Sequence, residues 1–107
     1  MIELNKDNFD AVIAQGVVLV DFWSESCERC MELMPEIHQL ADAYRGKVTF
    51  CSLNIQGNRR LAMAQKVMGL PSIVIWRNGE RVAHLSGETL DSEQIREALE
   101  AQLHSVA

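Results

Sequence analysis

Apolar residues fall along this chain in two ways, as short unbroken runs and at intervals of three or four. Val17 to Trp23 is the clearest run, almost wholly apolar, as a strand buried on both faces requires. Lys47 to Ile55 (KVTFCSLNI) and Ser72 to Trp76 are two more. Asn78-Gly79 then predicts a tight hairpin into a strand over Arg81 to Leu85. Ile2 to Leu4 makes a short first strand. Between these runs the spacing is helical. Phe9, Val12 and Ile13 form one apolar face, with Asn5 as N-cap, a staple between Leu4 and Phe9, and Gly16 as the stop. Leu33, Ile37, Leu40 and Tyr44 stripe a long helix from about Glu28 to Arg45, which Pro35 should kink and Gly46 closes. A shorter helix, capped at Gly57-Asn58 and ended by Gly69, carries Leu61, Ala64 and Met68. Asp91 or Ser92 caps a last helix that buries Ile95, Leu99 and Leu103.

The order β-α-β-α-β-α-β-β-α predicts an α/β fold: a mixed five-stranded sheet with about four helices, distributed over both faces. A chain of 107 residues is the size of one domain, 1–107, with a core that needs no staples. Its 48% hydrophobic and 23% charged residues are ordinary for a globular protein. A net charge of −5 argues against nucleic acid or an anionic membrane as partner, and no apolar run is long enough to cross a bilayer. The opening MIELNKDNFD has neither a basic leader nor a hydrophobic segment, so a cytoplasmic location is expected. Three cysteines in that setting do not read as a structural disulfide framework.

They read as chemistry. One carboxylate, Asp21, interrupts the central strand, and Cys27 and Cys30 follow at the start of the long helix. Residues three apart on a helix have β-carbons about 5–6 Å apart, and a disulfide needs about 3.5–4.5 Å, so a small adjustment of the first turn lets the two bridge. The free amides and positive dipole end of a helix N-terminus stabilise a thiolate at the cap. Cys27 is therefore expected to be the attacking sulfur and Cys30, one turn inside, the resolving one. Cys51 falls in a buried strand and reads as a small core hydrophobe. Met31 and Met34 flank the pair and suit packing as well as a substrate surface. His38, His84 and His104 show no partner spacing.

With these pieces in place the chain resembles the thioredoxin family over nearly its whole length. The resemblance rests on VDFW before the cysteines, Cys27-x-x-Cys30, Pro35, SLNI in the third strand, Gly69-Leu70-Pro71, and the Asn78-Gly79-Glu80 hairpin. It implies a thiol–disulfide oxidoreductase that reduces protein disulfides through a mixed disulfide, as a monomer, with no bound cofactor or metal and electrons from a separate reductase of thioredoxin-reductase type. Asp21 would be the buried carboxylate serving proton transfer at Cys30. Pro71 would be a cis-proline facing the disulfide, and Leu70 would offer its backbone to an extended substrate. Trp23 would pack beside the site, and Gly87 would line the substrate groove.

Four positions depart from the family pattern. Ser26 replaces the usual tryptophan before the first cysteine, Glu28-Arg29 replaces Gly-Pro between the cysteines, and Ser52 replaces a lysine near the buried acid. Ser26, Glu28 and Arg29 are thus expected at the substrate surface of a specialised thioredoxin-like protein, with Arg29 as a cation near the thiolate. Two other readings stay open: a binding or adaptor module with incidental redox activity, and a zinc site assembled from Cys27, Cys30, Cys51 and His38.

Overall fold

The computed structural model describes residues 1–104. Its elements are β1 (Ile2–Glu3), α1 (Phe9–Ile13), β2 (Val17–Trp23), α2 (Glu28–Ala43), β3 (Thr49–Asn54), α3 (Arg59–Ala64), β4 (Ser72–Arg77), β5 (Glu80–Ser86) and α4 (Ser92–Leu103). The strands form one five-stranded sheet in the order β1-β3-β2-β4-β5. β1, β3 and β2 run parallel, and β4 and β5 antiparallel to their neighbours.

The apolar run of β2 puts it at the centre, where both faces are covered. Side chains alternate across a strand, so its residues divide between two cores. Val18, Val20 and Phe22 pack with Phe9, Leu53 and Trp76 on the side of α1 and α3. There the Phe9 and Trp76 rings meet edge to face, 5.5 Å between centroids. Leu19 faces the other way, among Leu33 and Ile37 of α2, Ile73 and Ile75 of β4, and Ile95 and Leu99 of α4. Asp21 shares the Leu19 side by the same alternation, and so lies under α2.

Two elements differ from the sequence expectation. Asn5 does not cap α1; its Oδ1 accepts from Asp7 N at 2.8 Å and Asn8 N at 3.2 Å, closing a turn ahead of the helix, and Asn8 takes the N-cap position. A short polar side chain satisfies such a turn as readily as a helix end, which is why the sequence cannot separate the two. The helix after Asn58 is also shorter than expected. It stops at Ala64 because Lys66 turns left-handed, at φ 62°. Val67 is thereby buried and Met68 is thrown outward, 83% exposed, while Ala62 rather than Ala64 is the buried alanine. Leu103 of α4 is only partly buried, unlike Ile95 and Leu99, and elsewhere the main patterns hold. Asn78 and Gly79 carry the positive φ angles of a tight hairpin, and Asp91 forms a full capping box with Gln94 at the start of α4. Pro35 lies inside α2, leaving the Met31 carbonyl without its usual intrahelical donor.

Candidate active site

β2 ends at Trp23, and four residues later Cys27 is the N-cap of α2, extended at φ −89° and ψ 101°. Its sulfur accepts from Cys30 N at 3.2 Å, and its own N–H donates to Ser24 O at 3.1 Å. Cys27 and Cys30 are joined as a disulfide with their Cα atoms 5.2 Å apart, within the usual range for such a bond. Cys27 is half-buried, whereas Cys30 is only 1% exposed. The sulfur open to a partner is therefore the one at the helix cap.

Asp21 is 1% exposed on the α2 side of the sheet, and its Oδ2 has no hydrogen-bond partner among the described residues. Burial alone pushes its carboxyl up to about 7. Its neighbour in the parallel register is Ser52, which carries no charge to hold the carboxylate down. The result is a carboxyl that can hold or release a proton near neutral pH.

The Leu70–Pro71 peptide bond is cis, and Leu70 lines the same cleft as Cys27. Pro71 O accepts from Gly87 N at 3.2 Å, and Gly87 has φ +111°, a backbone that side-chain-bearing residues rarely adopt. A cleft of about 550 Å³ opens over Cys27, and Ser26, Glu28, Arg29 and Leu70 line it. Ser26 Oγ lies 2.9 Å from the buried hydroxyl of Ser24. Trp23 is half-buried and lines a neighbouring hollow with Glu3, Ser52 and Asn54 rather than the cleft itself. Arg29 does not stand as a free cation beside the sulfur: Nη2 donates to Leu90 O at 2.6 Å and Nη1 reaches Glu32 Oε1 at 3.5 Å.

Sequence reading missed Gln56, Arg59 and Glu88, which complete the cleft from the β3–α3 connection, α3 and the β5–α4 turn. Exposed polar residues on remote loops and at a helix start carry no periodic signal. The zinc arrangement fails on placement. Cys51 is fully buried on the side of α1, opposite Asp21, while His38 is exposed on α2, and no metal-holding cluster occurs among the described residues.

A disulfide at a helix start, with one sulfur opening into a cleft and a buried carboxyl on the strand that leads to it, defines a protein of dithiol–disulfide exchange. Comparison with known proteins gives the lineage. Residues 1–101 match the thioredoxin family model. A thioredoxin from Acetoanaerobium sticklandii is 46% identical over 82% of this chain and 86% of its own length. One from Peptoclostridium acidaminophilum is 40% identical over 89% and 88%. Among solved structures, a mutant thioredoxin from Halobacterium salinarum NRC-1 superposes with a TM-score of 0.88 at 26% identity, covering 99% of this chain and 93% of that one. The chain belongs to the thioredoxin family. With its cysteine pair at bonding distance, it is a thiol–disulfide oxidoreductase.

Proposed function

We propose that this chain, a single domain acting as a monomer in the cytoplasm, carries electrons from a separate reductase to disulfides of other proteins. The Cys27 thiolate attacks one sulfur of the substrate disulfide, forming a Cys27–substrate disulfide and expelling the other substrate sulfur, which takes a proton. Cys30 then loses its proton to Asp21 and attacks Cys27 Sγ. The Cys27–Cys30 disulfide forms, the second substrate sulfur leaves as a thiol, and two electrons have moved to the substrate. The reductase returns them, and no bound cofactor enters the cycle. Leu70, Pro71 and Gly87 form the edge along which an extended substrate backbone lies. Ser26, Glu28 and Arg29 set the character of the cleft, and Trp23 supports it from the side. No described helix is long and apolar enough to cross a membrane.

The observation that carries this reading is the unequal exposure of two bonded cysteines at one helix start, half-buried Cys27 and enclosed Cys30. Such a pair accepts a partner at one sulfur and expels it with the other. Cys30→Ser should leave substrate proteins attached through Cys27, visible as reducible adducts on non-reducing gels. Adducts that form with Cys27→Ser and not with Cys30→Ser would reverse the roles.

A further inference from the structure

One side chain from between the two cysteines reaches across to the turn that precedes α4. Arg29 Nη2 donates to Leu90 O at 2.6 Å, from a residue 61 positions away in sequence. Leu90 N donates in turn to Gly87 O at 3.1 Å, and Gly87 N to Pro71 O at 3.2 Å. Three hydrogen bonds therefore run in series from the first turn of α2, through the Gly87–Leu90 turn, to the cis-proline. The far end of that turn is fixed by α4, where Asp91 Oδ1 accepts from Gln94 N at 2.9 Å and Asp91 N donates to Gln94 Oε1 at 3.1 Å. Ser92 Oγ also donates to Glu36 Oε1 of α2 at 3.0 Å, and Leu90 shares a core with Leu33 and Ile37, so Arg29 supplies the tie to α2 nearest the cysteines.

Leu90 is 3% exposed, so water is a poor substitute partner for its carbonyl. A guanidinium supplies a charge-assisted bond with fixed geometry. The proline usual at this position in the family has no side-chain donor, so the strut belongs to the Glu28-Arg29 version of the motif. Arg29 Nε is buried without a partner among the described residues, and the guanidinium is held through its two Nη groups.

We propose that Arg29 is a positioning residue for substrate: it holds the Gly87–Leu90 turn against α2 and so fixes the gap between Cys27 and the Leu70–Pro71–Gly87 edge. This rests on the reading of that edge as the side along which the substrate backbone lies. A substrate must reach Cys27 and the edge together, so a gap held at one width favours binding by removing the cost of ordering the groove.

The test uses the full chain and its Arg29→Ala, Arg29→Lys and Gly87→Ala variants, with insulin as the substrate. Amide hydrogen exchange is followed at Gly87 and Leu90, with β4 amides as the internal reference. Arg29→Ala should speed exchange at both amides about tenfold relative to β4. It should raise KM for insulin about fivefold with kcat within about twofold, the signature of lost binding rather than lost chemistry. Arg29→Lys, which keeps a donor of similar reach, should recover most of both. Unchanged exchange in Arg29→Ala overturns the strut, as does faster exchange with an unmoved KM. A fall in kcat at constant KM would instead mark Arg29 as a charge acting on the Cys27 thiolate, and also overturns it. Gly87→Ala separates the two layers. If it raises KM and Arg29→Ala does not, the strut fails and the groove stands. If neither raises KM, the groove reading itself fails and takes the strut with it. Should Arg29→Ala not fold, Arg29→Gln replaces it under the same outcomes.

Discussion

Asp21 of β2 and Ser52 of β3 stand side by side in the parallel register, on the face of the sheet that α2 covers. A serine there leaves the acid unneutralised. Ser52 adds no positive charge, Asp21 Oδ2 has no partner among the described residues, and desolvation alone lifts the carboxyl to about 7. The same pairing thus sets a cost in stability and leaves a buried carboxyl that titrates near neutral pH.

The cost has a definite pH dependence. Unfolded, Asp21 titrates near 3.8, and folded near 7, so between those values the folded state binds the extra proton and its stability falls as pH rises. The full shift corresponds to at most about 4 kcal/mol, lost between pH about 4 and 8. Asp21→Asn has no such titration and should be the more stable protein at pH 9, with the difference shrinking towards pH 4. Urea unfolding of both proteins across this range checks it. Parallel pH curves would rule it out.

The same substitution should slow the second chemical step. Asn keeps the shape of Asp21 and cannot take the Cys30 proton, so decay of the mixed disulfide should slow roughly 100-fold while initial attack by Cys27 changes little. Stopped-flow mixing with a chromogenic disulfide separates the two phases. Resolution at the wild-type rate would leave Asp21 a structural acid only.

Placing a lysine at position 52 should reverse the Asp21 shift. An ammonium in the neighbouring register position favours the carboxylate, so Ser52→Lys should lower the Asp21 pKa and flatten the stability curve between pH 4 and 8. Carboxyl-detected NMR titration reads this directly. An Asp21 that still titrates near 7 beside Lys would show that the two side chains do not communicate.

The three thiols should differ sharply in reactivity. In the reduced protein Cys27, half-buried at the helix cap, should alkylate at least about tenfold faster than Cys30. Cys51 is fully enclosed and its thiol is pushed up to about 11 by burial, so it should react only after denaturation. Iodoacetamide labelling followed by peptide mass spectrometry ranks all three. Labelling of Cys51 in the native state at the rate of Cys27 would mean that the β3 core opens.

Whatever depends on neighbours along the chain was legible in the order of residues alone. The almost wholly apolar run at 17–23 requires a strand covered on both faces, the i, i+3, i+4 spacing after Cys27 requires a helix, and together they place the thiols at a helix start that follows the strand carrying Asp21. Asn78-Gly79 likewise fixed the hairpin through the positive φ that those residues tolerate. Met68 marks the limit of that logic, because a left-handed turn at Lys66, invisible in apolar spacing, broke the helix before Met68 could be turned inward. The direction of Arg29 was settled by contacts made only on folding. Charge and proximity in sequence suggested the thiolate, but a buried carbonyl 61 residues away was the acceptor that folding left for it. The pairing of Asp21 with Ser52 is of the same kind: strand register joins positions 31 residues apart, and it is register, set by the packing of whole faces, that decides which groups a buried charge meets.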